Sequence, residues 1–195
     1  MKLALFDFDG TITTKDSMIE FLLYAVGKKA YYLGLLKLTP MLVAYKLKLY
    51  PNYRAKEKFL FHFFNNMRPK EFQELSAKYA NEEIDKIVRK EALERIAWHK
   101  EQGDEVVIIS ASMECWLKAW CDKRDIRLIA TKLALDSSIF TGKFITKNCY
   151  GQEKVNRLRE LYQTEEYSYI YAYGDSRGDK ELLALADESF YKPFR

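Results

Sequence analysis

The sequence predicts an α/β protein in which a parallel sheet, covered by helices on both faces, is interrupted by one inserted helical unit. Short apolar runs end abruptly in polar clusters, the form of buried strands that deliver polar groups at their carboxyl ends. Helical periodicity fills the gaps between these runs, and strand-helix alternation is the mark of a parallel sheet. The long interval from about Ser17 to Arg95 carries no strand pattern.

The first strand is expected at Leu3 to Phe6, ending in Asp7-Phe8-Asp9-Gly10-Thr11. Met18, Ile19, Leu22, Leu23 and Val26 then predict a helix that stops near Gly27. After Pro69, the spacing of Phe72, Leu75 and Tyr79, and of Ile84, Ile87 and Val88, predicts further helices, with Gly103 as a stop signal after Ile96-Ala97-Trp98. A second strand is expected at Val106 to Ile109, ending in Ser110-Ala111-Ser112. Trp116, Leu117, Trp120 and Cys121 predict the next helix, and Ile126 to Ala130 the third strand. Lys132 to Phe144, with Asp136-Ser137-Ser138 and Thr141-Gly142 between apolar residues, reads as a small antiparallel excursion at the rim. Val155, Leu158, Leu161 and Tyr162 repeat at helical spacing before a fourth strand, Tyr167 to Tyr173, which ends in Gly174-Asp175-Ser176. Leu182, Leu183 and Leu185 give the last helix, and a final strand near Phe190 is expected to be short. The expected organisation is a core from residues 1–17 and 96–195, with an all-helical insertion over 18–95 as a lid above the strand ends.

A chain of 195 residues holds one ordinary core plus a subdomain, and 48% hydrophobic with 31% charged residues supports both burial and solubility. With 8 Gly and 4 Pro, collagenous and disordered classes are excluded. Cys115, Cys121 and Cys149 are odd in number, lack a C-x-x-C spacing and are joined only by His62 and His99, which argues against a disulfide framework or structural zinc. Asp7 and Asp9 stand where a signal peptide needs its apolar stretch, so a cytoplasmic protein is expected. Charge is unevenly spread: the window from Leu22 to His62 holds eight lysines and arginines against Glu57 alone, a net +7. Its longest uncharged run, Leu38 to Tyr45, has eight residues and contains Pro40, far short of the roughly 20 a bilayer span needs. A basic, amphipathic surface remains a reading of this window, and its apolar character speaks against nucleic acid as the partner.

Asp7-x-Asp9 at a strand end is the sharpest chemical feature. A turn can aim both carboxylates into one pocket, with Gly10 allowing close backbone approach; alone, the pair fits solvated turn aspartates equally well. Asp175 and Asp179 follow another strand, where Asp179 also reads as a plain helix cap. If the two strands are neighbours, three or four carboxylates meet, and that concentration of charge calls for a hard cation such as Mg²⁺. Ser110 offers a hydroxyl, and the N–H groups of Ala111 and Ser112 are expected to open a helix that suits an oxyanion; a simple N-cap is the plainer alternative. Lys154, early in its helix, offers a fixed positive charge or, as most lysines do, a solvated face.

In order and spacing, Asp7-Phe8-Asp9-Gly10-Thr11-Ile12-Thr13, Ser110-Ala111-Ser112, Lys154 and Gly174-Asp175-Ser176-Arg177-Gly178-Asp179 resemble the four motifs of the haloacid dehalogenase-like (HAD) hydrolases. The insertion looks like their C1-type cap on a Rossmann-like three-layer core. Trp98-His99-Lys100-x-x-Gly103 before the second motif is similar to subfamily IB, which includes phosphoserine phosphatase and phosphatidylglycerophosphatase C. The resemblance implies a Mg²⁺-dependent phosphatase working through an aspartyl-phosphate. Asp7 would be the nucleophile and Asp9 the general acid and base. Ser110, Ala111 and Lys154 would hold the phosphoryl group. Asp7, Asp175, the Asp9 backbone carbonyl and, in support, Asp179 would hold the metal. A phosphotransferase and a catalytically silent membrane-surface module are the rival readings. A signalling receiver domain is disfavoured because its acidic groups would lie on the first and third strands. For substrate selection, Asp16 and Arg54 stand near the places where phosphoserine phosphatases carry a glutamate and a cap arginine, but Asp-Gly-Thr replaces their common Asp-Ser-Thr. The expected substrate is a small phosphorylated metabolite or a lipid phosphate. For the lipid reading, Tyr31, Tyr32, Leu33, Leu35, Leu36, Leu38, Met41, Leu42 and Val43 would form an apolar surface ringed by lysines at the inner face of a membrane.

Overall fold

A computed structural model describes residues 1–135 and 138–195; Asp136 and Ser137, assigned above to the rim excursion, lie outside the described residues. Five parallel strands run in the order β3-β2-β1-β4-β5. They are β1 (Leu3–Phe6), β2 (Glu105–Met113), β3 (Arg127–Thr131), β4 (Ile170–Gly174) and β5 (Glu188–Tyr191). β1 is central, and its Phe6 is level with Ile108 of β2 and Tyr173 of β4. The chain therefore leaves β1 and β4 side by side, which brings the two acidic clusters to one edge.

Alternation along the strands sends side chains to two cores. Ala4, Phe6, Val106, Ile108 and Tyr173 face one side, while Leu3, Leu5, Val107, Ile109, Ile170 and Ala172 face the other. The second face is covered by α6 (Gln152–Leu161) and α7 (Lys180–Leu185) through Leu158 and Leu182. The first is covered by α4 (Lys90–Glu101) and α5 (Glu114–Asp122) and runs on into the helical unit.

That unit holds α1 (Ser17–Lys46), α2 (Asn52–Phe64) and α3 (Pro69–Glu82). α1 is broken at Gly27, whose φ of 77° and ψ of 159° suit glycine and little else, so the expected stop is present but a second helical stretch follows directly. Phe21 packs edge-on to Phe72 and Tyr79 and stacks on Trp116 of α5 at 4.9 Å, joining the helical unit to the core. The connecting segments pair antiparallel: Thr13 bridges Val88, Thr14 N–H donates to Ile87 at 2.7 Å, and Arg89 N–H donates to Ile12 at 2.8 Å. The rim excursion is antiparallel as expected, with Leu133 opposite Phe144, and its Phe140 packs on Phe72 of α3.

The second strand departs from expectation. β2 continues through Ser110, Ala111 and Ser112 to Met113, with a register shift against β3, and α5 begins only at Glu114. The N–H groups of Ala111 and Ser112 therefore do not open a helix. Ser110 and Met113 pair with Ala130 and Thr131 of β3, while Ala111 and Ser112 between them lie in the irregularity, where Ser112 N–H donates to Ser110 Oγ and the Ala111 carbonyl accepts from the Thr131 hydroxyl.

Candidate active site

The site forms where β1 ends. Asp7 N–H still donates to Tyr173 of β4 at 2.9 Å, and the next residues close a wide turn through Thr13 N–H to the Phe8 carbonyl at 3.0 Å. Gly10 sits in that turn at φ 83°, and a Cβ there would overlap the Asp175 carboxylate, so the close approach inferred for this glycine is real. Asp7, Asp175 and Asp179 each offer a carboxylate oxygen within 4.8 Å of the others. The Asp9 side chain is turned away from that cluster: Ser17 N–H donates to it at 2.6 Å and the Ser112 hydroxyl at 2.5 Å.

Lys154 ties the cluster together. Its ammonium donates to Asp7 Oδ1 at 2.6 Å, Asp179 Oδ1 at 2.6 Å and the Ile109 carbonyl at 2.8 Å, using all three protons while 1% exposed. The plain reading of Lys154 as a solvated lysine is thereby removed. The other Asp179 oxygen accepts from the N–H groups of Asp175 and Ser176 and from the Ser176 hydroxyl. Arg195 donates to the Asp175 carboxylate and so places a cation at that edge of the cluster.

The charges perturb one another. Burial, with Asp179 and Asp9 adding to it, pushes the Asp7 carboxyl up to about 7 against the pull of Lys154. Burial and the Asp16 charge push Asp9 up to about 6, although its hydrogen bonds from Ser112 and Ser17 work the other way. Burial also raises Asp175, with Arg195 opposing. Burial would raise Asp179 too, but Lys154 and the Ser176 hydrogen bonds outweigh it and hold that carboxyl below its ordinary value.

The cleft above these groups has a volume of about 200 Å³, and Asp7, Asp9, Ala111, Ser112, Lys154 and Asp179 line it. Ser110 is fully buried behind them, its Oγ accepting from Ser112 N–H at 3.0 Å. Asp16 lies at the mouth, where its carboxylate caps α1 by accepting from Met18 and Ile19 N–H. Arg54 is not brought to the cleft. Its guanidinium donates to Tyr53 and lines a separate groove with Glu57 and Lys143.

The sequence reading passed over Lys56. From α2 it reaches into the cleft and donates to the Ala111 carbonyl at 2.9 Å, and burial lowers its pKa against the charges of Asp16 and Asp9. Asn52 and Tyr150 were also missed as lining residues, and Ser112, expected only as a backbone donor, also brings its hydroxyl to Asp9. Ser112 stood in the second motif, but its bond to Asp9 depends on β2 staying extended, which the motif does not reveal.

A family model described as haloacid dehalogenase-like hydrolase matches residues 4–184. The protein CicA of Caulobacter vibrioides is 32% identical over 197 residues, spanning 99% of this chain and 86% of that protein. Among solved structures, a protein of unknown function from Bordetella pertussis aligns with a TM-score of 0.81 at 19% identity, covering 97% of this chain and 89% of that one. A phosphoserine phosphatase carrying a phospho-aspartyl intermediate analogue aligns with a TM-score of 0.67 at 17% identity, covering 97% and 85%.

Proposed function

From the premise that this chain belongs to the haloacid dehalogenase-like hydrolase family, we propose that it is a Mg²⁺-dependent phosphatase that cleaves a phosphate monoester through an aspartyl-phosphate on Asp7. The observation that carries this reading is the meeting of Asp7, Asp175 and Asp179 within 4.8 Å, beside the ammonium of Lys154. Carboxylate oxygens so placed are a donor set for a hard cation, and the space kept free by Gly10 lies against one of them. Asp7 and Asp175 would hold Mg²⁺, with Asp179 in support. Bound there, the ion supplies positive charge that favours ionised Asp7 and offsets its repulsion from a phosphate dianion.

Asp7 then attacks phosphorus, and the bond to the ester oxygen breaks as the acyl-phosphate bond forms. Asp9, held off the cluster by Ser17 and Ser112, protonates the departing alkoxide; a carboxyl near 6 retains a useful protonated fraction at neutral pH. In the second half, Asp9 takes a proton from water as that water attacks the phosphorus, releasing inorganic phosphate and free Asp7. Lys154, exchanging its present bond to Asp7 for one to the phosphoryl group, and the cleft-lining Ala111 and Ser112 would hold the phosphoryl oxygens, with the buried Ser110 supporting the segment from behind. The test is turnover of p-nitrophenyl phosphate with and without Mg²⁺. Activity that requires Mg²⁺ and disappears in Asp7→Asn is expected; no activity with any divalent metal would favour the silent module.

A second reading concerns location. Tyr32, Leu33, Leu36 and Val43 of α1 are exposed, Leu36 to 71%, among the exposed Lys28, Lys29, Lys37 and Lys46. The apolar surface is narrower than expected, because Tyr31, Leu38 and Met41 are buried and Leu35 and Leu42 half-buried. Among the described residues no helix is long and apolar enough to cross a membrane. The exposed face supports peripheral contact with anionic lipid. Co-sedimentation with anionic vesicles at low salt, and its loss in Leu36→Glu, is the expected result.

A further inference from the structure

We propose that the ester cleaved in this cleft carries an amphipathic alcohol, polar beside the phosphate and apolar beyond, whose apolar part enters a cavity between α1 and α2. The proposal rests on the phosphatase reading and names the substrate class of that site. The cavity has a volume of about 340 Å³, within the range of small-ligand pockets. Its walls are Tyr31, Leu35 and Leu42 from α1 and Ala55 and Phe59 from α2. It adjoins the catalytic cleft: Asp16, Met18, Asn52 and Lys56 line both.

The junction is polar and the space behind it apolar. Lys56 is anchored on the Ala111 carbonyl at 2.9 Å, which ties α2 to β2, and the small Ala55 one residue earlier lines the gap between α2 and α1. Among the described residues, Lys56 and Asp16 bring the only charged side chains to this cavity, both at its cleft end. A zwitterionic amino acid or a sugar would engage Asp16, Asn52 and Lys56 but leave water against the apolar walls. An alkyl or acyl extension displaces that water, and each methylene so buried is worth about fourfold in affinity. The volume has room for a single chain.

The measurement is kcat/KM of the full chain with Mg²⁺ for phosphoserine, glycerol 3-phosphate and 1-acylglycerol 3-phosphates of increasing acyl length, all below their micelle concentrations. Calorimetric binding of the same esters to Asp7→Asn protein runs beside it. We expect kcat/KM to rise about fourfold per methylene, chiefly through KM, until the cavity is full. Leu35→Trp, which fills the space, and Leu42→Gln, which makes it polar, should each cut the preference for the acylated ester over glycerol 3-phosphate by about tenfold or more. Turnover of phosphoserine or glycerol 3-phosphate that equals or exceeds the acylated esters overturns the proposal and leaves the phosphatase reading standing. Binding that grows with chain length in a protein that hydrolyses none of them sustains the cavity's assignment and removes the phosphatase reading. Neither turnover nor length-dependent binding removes both.

Discussion

Lys154 is buried to a degree that ordinarily forbids a charge, and its pKa is nonetheless raised: burial lowers it, and the attraction of Asp7 and Asp179 more than offsets that. The ammonium and its two carboxylates therefore depend on each other. Removing the ammonium leaves both buried carboxylates uncompensated, which costs about 3–5 kcal/mol, whereas removing Asp7 alone leaves Lys154 paired with Asp179. Lys154→Met should accordingly lower stability in urea by that order, with the carboxylates left facing one another. Millimolar Mg²⁺ should recover part of the loss in the variant, because a cation can take up the charge that Lys154 no longer covers. A substitution tolerated within about 0.5 kcal/mol would show that the lysine is not the keystone of the acidic cluster.

Among the elements, those with a strong local signal were legible, and those decided by a neighbour were not. β1, its acidic turn and the stop at Gly27 follow from side-chain pattern and glycine alone. The extension of β2 to Met113 runs through a register shift against β3, with pairing resumed only at Met113 opposite Thr131, and the phase of α2 depends on what it packs against. That phase decided the cap cation: Arg54 and Lys56 are two residues apart, a separation that turns side chains to opposite helix faces, so locating the helix was not enough to choose between them. The acidic cluster was legible only on the condition that the two strands are neighbours, and the pairing of β1 with β4 meets it. At Gly27 the surrounding space is empty within 4 Å of a would-be Cβ, so sterics with neighbours are not at issue there; the backbone angles are. Gly27→Ala should cost about 1–3 kcal/mol through those angles. It should also move the second stretch of α1, seen as a change in KM larger than that in kcat, since that stretch carries Tyr31, Leu35 and Leu42 but no residue proposed for the chemistry. A Gly27→Ala variant with unchanged melting temperature and KM would mean the break is not held by glycine.

For the whole molecule, the cleft is a place where folding gathers acidic groups that would be better apart. Asp7 and Asp9 both hold protons more tightly in the folded protein, near 7 and 6, than at their ordinary value of 3.8. Between about pH 4 and pH 7 the unfolded chain has therefore already released protons that the folded chain retains. Stability of the metal-free protein consequently falls as pH rises through that window, and the contribution is fully lost once the folded groups have ionised. Asp7→Asn removes one of these groups while keeping its shape. The variant should match the wild type near pH 4 and exceed it at pH 8 by about 1–3 kcal/mol without metal, the difference growing through the window and levelling above about 7. Added Mg²⁺ should narrow the gap, because it binds the ionised wild-type site more tightly than the amide. Urea midpoints at pH 4, 6 and 8, with and without Mg²⁺, measure all three arms. A protein stabilised by losing its proposed nucleophile is the expected mark of a site organised for chemistry at the expense of the fold; a gap that shrinks with rising pH would mean that Asp7 is held as a carboxylate chiefly for its bond to Lys154.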